Sequence, residues 1–151
     1  MKAEELFEKA KEAGAVPQTA KMQSAFQFGV DADGLAALVL DGTKTATASA
    51  YELYEEEEPL PKEGAYDVVL DGQDEAVCVI QNDSVKLEEY LAVSEQHARA
   101  EGEGDRSLSY WRSVHEPFFE EEYKAMDKTF DKEKAQIVLE SFHVVYRPER
   151  K

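Results

Sequence analysis

The residues best suited to chemistry in this chain stand together in LDGTKTATASA, Leu40 to Ala50. Lys44 brings an amine there, and Thr45, Thr47 and Ser49 bring hydroxyls. These are side chains from which nucleophilic and acid–base catalysis are built. Simpler uses exist for each of them. Lys44 follows the end of a predicted helix, where unpaired carbonyls attract a cation by about 0.3–1 kcal/mol. Threonine favours strands on its own account. Residue types at this spacing leave both readings open.

Other chemistry-bearing patterns fail on spacing. GTKT resembles the end of a phosphate-binding loop, but Leu38 and Thr43 occupy the positions of its two glycines, and a helix precedes it instead of a strand. EGEGD (101–105) lacks a third glycine and carries acids that repel phosphate. DADG (31–34) begins like a calcium loop, yet its twelfth position is Gly42 where a bidentate glutamate is required. No Cys-x-x-Cys or His-Glu-x-x-His pattern occurs, so no metal site and no cofactor is expected. His97 and Glu101 share a helix face at i, i+4 and are expected to form a surface pair. Tyr110, Trp111, Phe118 and Phe119 could stack on bases, although aromatics at helical spacing are more often core. Cys78 sits in the apolar run AVCVIQ and reads as a buried, inert thiol.

The elements that must position these residues follow from periodicity and punctuation. Residues 3–13 form an amphipathic helix ended by Gly14 and Pro17. AFQFGV (25–30) is a short strand or a helix end. Residues 31–41 form a helix capped by Asp31 or Asp33 and closed by Gly42. TKTATASAY then reads as a strand. In a regular strand Lys44 and Thr47 point to opposite faces, so they cooperate only if Lys44 sits in the turn ahead of the strand or the strand bulges. Residues 51–64 are an acidic, proline-bounded connector. Two strands flank Asp71-Gly72 as a hairpin, and a short helix covers 94–101. Residues 107–116 are helical, with Pro117 expected to kink that helix or start a new one. Residues 135–147 close the chain as a long strand.

This order predicts an α+β fold, a small β-barrel of about five to six strands flanked by helices. The 151 residues suit one globular unit. The formal charge is −16, from 33 acidic and 17 basic residues. That balance speaks against avid non-specific nucleic-acid binding, which needs phosphates neutralised by Lys and Arg, but allows a small nucleoside ligand. No segment reaches the roughly 20 apolar residues of a membrane span. The N-terminus lacks the apolar stretch of a leader, so a cytoplasmic location is expected.

The segments FQFG, LVLDGTKTATAS, LPKEGAYDVVLDG, CVIQ and EGEGDRSLSYWRSVHEPFF together closely resemble the ASCH domain family, in its longer bacterial branch. The resemblance runs from about Phe26 to Tyr146, which makes residues 1–22 an N-terminal helical extension and 23–148 the family domain. It implies a fold similar to the PUA domain, with a cleft holding the Gly-x-Lys motif, and an RNA- or nucleoside-related role. One short bacterial branch of that family deacetylates N(4)-acetylcytidine with a lysine, a threonine three residues later and a distant glutamate. Another ASCH protein is a single-strand ribonuclease. The resemblance places these catalytic positions on Lys44, Thr47 and, through HARAEG, Glu101. Thr47 would attack the acyl carbon or orient water. Lys44 would serve as base or stabilise the oxyanion, and Glu101 would relay a proton to the departing nitrogen. Gly42, Thr45, Ser49, Arg106, Tyr110 and Trp111 are the ligand-binding candidates. The amidohydrolase motif continues into an arginine where this chain has Ser49. The alternatives are a non-catalytic RNA- or nucleotide-binding module and a ribonuclease assisted by Tyr51. For RNA, Lys44, Lys62, Arg99, Arg106 and Arg112 are expected near the cleft.

Overall fold

In the computed structural model, which describes residues 1–29 and 31–148, five strands form one sheet in the order β1-β3-β4-β5-β2. The strands are β1 (Met22–Gln27), β2 (Ala46–Ala50), β3 (Tyr66–Leu70), β4 (Ala76–Glu89) and β5 (Gln136–Tyr146). The helices are α1 (Ala3–Glu12), α2 (Ala32–Leu40), α3 (Glu95–Glu101) and α4 (Leu108–Ala125). β1 runs parallel to β3, and every other neighbouring pair is antiparallel. The sheet curls into a half-barrel, giving the α+β, PUA-like architecture that the sequence predicts.

The curl has a local cause. β4 is 14 residues long, and its register against β5 shifts between Val79 and Ile80 and again between Asn82 and Ser84. Such irregularities bend a strand and increase its twist. The sheet therefore wraps until its edges, β1 and β2, flank an opening.

Helices cover both faces of the centre. α1 buries Leu6, Phe7 and Ala10 against Val68 and Val79. α2 buries Ala36 and Val39 on the opposite side with Val69, Cys78 and Ile80. Successive residues of β3 thus enter two different cores, as a doubly covered strand requires. Burial pushes the Cys78 thiol up to about 12, which leaves it chemically quiet.

Three predicted elements differ in detail. The first strand lies at Met22–Gln27 rather than 25–30, with Phe28 buried just after it, and Val30 lies outside the described residues. The β3–β4 turn is not a two-residue Asp-Gly turn. Asp71 Oδ1 instead accepts from the backbone N–H groups of Gln73 (2.9 Å) and Glu75 (3.1 Å), folding a wider loop around its side chain. Pro117 does not start a new helix, since α4 runs without interruption through it. An interior proline costs about 3 kcal/mol. Trp111, His115, Phe119 and Tyr123 bury one stripe of α4 on either side of it, and that packing holds the helix together. No helix among the described residues is long and apolar enough to cross a membrane.

Candidate functional site

The turn carrying Lys44 is stapled from three sides. Asp41 Oδ1 accepts from Thr43 N (2.8 Å), Lys44 N donates to Leu38 O (3.0 Å) and Thr45 N donates to Ala100 O (2.7 Å). Phe142 N of β5 donates back to Thr45 O (2.9 Å). Gly42 adopts φ +83°, a left-handed conformation that L side chains resist. Gly102, which ends α3, allows the close approach. A β-carbon there would meet Thr43 O at 2.6 Å. Lys44 therefore lies ahead of β2, which starts at Ala46, and strand parity does not separate it from Thr47. Both residues line one cavity.

Lys44 is 2% exposed and Glu101 1%. The Lys44 ammonium donates to Ala46 O at 2.9 Å, Glu103 Oε2 at 3.3 Å and Glu101 O at 3.4 Å, and lies 3.5 Å from Glu101 Oε1. It also sits 5.1 Å from the centre of the Phe28 ring. Glu101 is held equally firmly. Its Oε2 accepts from Trp111 Nε1 (2.5 Å) and contacts His97 Nε2 (2.7 Å), while Oε1 faces His115 Nε2 at 3.5 Å. Trp111 in turn stacks on His115 with ring centroids 4.1 Å apart. Burial alone would raise the Glu101 pKa. Hydrogen bonds from His115 and His97 and the charge of Lys44 outweigh it, and hold the carboxyl well below the usual range. The expected surface pair of His97 and Glu101 is thus an interior one. Glu101 is pulled inward by its indole, imidazole and ammonium partners, which a helix-face count does not reveal.

The cavity measures about 1220 Å³ and occupies the opening of the half-barrel. Gln23, Ser24 and Phe26 of β1 form one side, and Thr47 and Ser49 of β2 the other. Tyr110, His115 and Phe118 of α4 wall it, and the proline-bounded segment 58–62 covers it. Asp67 and Glu140 project from the sheet into it. Asp67 accepts from Ser24 Oγ (2.9 Å) and Gln23 Nε2 (3.1 Å). Its pKa is raised, chiefly by burial, against the lowering effect of those bonds. Burial first, then the negative charge of Asp67, push Glu140 up to about 7, although Asn82 opposes them.

The candidate residues divide. Lys44, Thr47, Glu101, Ser49 and Tyr110 line the cavity, and Ser49 Oγ lies 2.8 Å from Tyr54 Oη. Gly42, Thr45, Arg106 and Trp111 do not line it. Gly42 and Thr45 shape the Lys44 turn, and Trp111 reaches the site only through Glu101. Arg106 is exposed, with φ +65°, and its Nε donates to Arg99 O at 3.1 Å. Of the basic residues expected near a cleft, Lys44 and Lys62 line the cavity, whereas Arg99 and Arg112 do not. Asp67, Glu140 and Tyr54 went unread in the sequence, whereas His115 was one of two residues expected to face inward from its helix. For Asp67 and Glu140 the signal was a single ionisable residue inside an apolar run, as in YDVVL and IVLESF. Among the described residues no group of three or more His, Cys, Asp or Glu side chains is placed to hold a metal ion.

No curated protein matches the chain. Solved structures do. An ASCH domain from Lactobacillus crispatus JV V101 superposes with a TM-score of 0.88 at 33% identity, covering 95% of this chain and 94% of its own. Protein EF3133 from Enterococcus faecalis V583 superposes with a TM-score of 0.83, also at 33% identity, over 98% of this chain and 96% of its own. The hypothetical protein PH0355 shares the fold alone, with a TM-score of 0.53 at 13% identity over 80% of this chain and 95% of its own. The ASCH domain profile matches residues 24–146, from β1 to the end of β5 and so across every strand that lines the cavity. The chain belongs to the ASCH domain family.

Proposed function

We propose that the cavity binds a nucleoside and hydrolyses an acyl group from its exocyclic amine, as in N(4)-acetylcytidine. One observation carries this reading: a buried Lys44–Glu101 ion pair borders a cavity that Thr47 also lines. Amide hydrolysis needs an oxygen aimed at the acyl carbon and a positive group for the oxyanion that forms. The Thr47 hydroxyl supplies or orients the first, and the Lys44 ammonium supplies the second. Glu101 acts on Lys44 rather than on substrate, because its oxygens are occupied by Trp111, His97, His115 and Lys44. The PUA-like fold and the family support an RNA- or nucleoside-related role. The lining charges narrow it. Asp31, Glu58, Asp67, Glu101, Glu103, Glu122 and Glu140 face Lys21, Lys44 and Lys62, an excess of acids that repels a phosphate backbone and tolerates a neutral nucleoside.

A second reading has its own support. The hydrogen-bond and ion-pair partners of Lys44 Nζ are all oxygens of the protein itself, so the amine is already engaged before any ligand enters. A site so satisfied also suits a binding module without turnover. Incubation with N(4)-acetylcytidine and related acylated nucleosides, beside Lys44→Met and Thr47→Ala, separates the two. The hydrolase reading expects deacetylation by the wild type and its loss in both variants. Binding of the nucleoside without turnover refutes that reading in favour of the second. Cleavage of single-stranded RNA refutes both.

A further inference from the structure

The cavity holds a carboxyl that the Lys44–Glu101 pair does not use. Glu140 of β5 stands directly opposite Thr47 of β2 in the antiparallel register, and both residues line the cavity. Side chains directly opposed on neighbouring strands share a face, with β-carbons about 5 Å apart. A carboxyl and the hydroxyl of the proposed reaction therefore meet on one patch of wall. Glu101 is ill suited to moving protons, because both of its oxygens face donors and its charge is fixed by them. Glu140 is in the opposite condition. The groups facing it are Asp67 from β3, Asn82 from β4, Thr47 from β2 and Tyr54 from the connector, with Glu122 of α4 and Glu58 beyond Tyr54. Burial and then the nearby carboxylate of Asp67 favour its protonated form, a hydrogen bond with the buried Asn82 opposes it, and Glu140 is pushed up to about 7. Both of its states are thus accessible at neutral pH, as general acid–base catalysis requires.

We propose that Glu140 is the residue through which this cavity exchanges protons with its ligand, taking one from the attacking oxygen beside Thr47 and returning it to the departing amine. The assignment rests on the hydrolase reading for its chemical steps. A water held by the Thr47 hydroxyl attacks the acyl carbon. As the C–O bond forms, the water proton passes to the Glu140 carboxylate, and the carbonyl electron pair moves onto oxygen, opposite the Lys44 ammonium. The Glu140 carboxylic acid then gives that proton to the amide nitrogen. The C–N bond breaks, its electron pair leaves with the amine, and the C=O bond reforms. The products are the free amine and a carboxylic acid, and Glu140 returns as carboxylate.

The test is Glu140→Gln, which keeps the shape of the side chain and cannot exchange a proton. Two measurements are made on it and on the wild type. One is the pH dependence of kcat and KM for N(4)-acetylcytidine. The other is calorimetric binding of cytidine in buffers of different ionisation enthalpy, which counts the protons exchanged on binding. The variant should lose about 10²–10⁴-fold in kcat with KM little changed. The rate limb near pH 7 and the proton exchange on binding should both vanish. Turnover that persists in Glu140→Gln with its pH limb intact overturns the assignment and leaves the hydrolase reading standing. Absence of turnover in the wild type, with proton exchange that depends on Glu140, does the reverse. If neither cytidine binding nor turnover occurs in the wild type, both fall.

Discussion

Replacing Glu140 by glutamine should make the folded protein gain stability on the alkaline side and not on the acid side. The native carboxyl titrates near 7 where an unfolded one titrates near 4.5. A raised carboxylate is a destabilising one. Below about pH 4.5 the group is protonated in both states and costs nothing. Between there and pH 7 the native state keeps a proton that the unfolded state has lost, so stability falls as pH rises, and above pH 7 the loss is complete. One pKa unit is worth about 1.4 kcal/mol, which gives a full effect of about 3 kcal/mol. Glutamine removes that dependence. The difference in unfolding free energy between variant and wild type should therefore grow by about 3 kcal/mol between pH 4 and pH 8, with its midpoint near pH 6. Urea unfolding at a series of pH values measures it directly. Glu101 contributes a slope of opposite sign in acid, because its native carboxyl is held low and its stabilisation is lost as pH falls below 4.5. That contribution is common to both proteins and cancels in the difference. Parallel stability curves for wild type and variant would refute the reasoning, and with it the claim that burial and Asp67 govern Glu140.

Two further substitutions probe the frame around the cavity. Lys44→Met leaves the buried Glu101 without its ammonium, and breaking such a pair costs about 3–5 kcal/mol, to be read from denaturant midpoints. Most of that loss should be recovered in Lys44→Met with Glu101→Gln, which removes the stranded charge. Gly102→Ala places a β-carbon 2.6 Å from Thr43 O at φ +76° and should destabilise the protein by more than 1 kcal/mol. An equal effect of Gly14→Ala, where nothing lies within 4 Å, would show that the left-handed backbone alone is responsible and that the contact with Thr43 is not.

Much of this site was legible because its parts are local. The Gly42 turn, the Asp31 cap whose Oδ1 accepts from Gly34 N at 3.0 Å, and the short helix α3 each follow from a few neighbouring residues. The placement of Lys44 in a turn before β2 was one of two solutions that strand parity allowed. What could not be read was the pairing of distant segments. Thr47 and Glu140 lie 93 positions apart (140 minus 47) and become neighbours only through the β2–β5 register. Asp67 on β3 comes near Glu140 on β5 only across the intervening β4 of the curled sheet. The new helix that Pro117 could have started is absent for a related reason. The proline's local cost is real, but the decision is made by the buried stripe of α4 against the sheet.

The two acidic centres show why residue type was a poor guide to role. Glu101 and Glu140 have the same side chain and border the same cavity. Glu101 has a lysine, two histidines and an indole N–H around it, so its charge is fixed and it serves to hold Lys44. Glu140 has a carboxylate, an amide and a hydroxyl strand opposite, so its charge is conditional. A residue whose proton is settled can organise a site, and one whose proton is unsettled can do chemistry in it. On that criterion the proposed hydrolysis is assigned to the Thr47–Glu140 wall, with the Lys44–Glu101 pair as its electrostatic support.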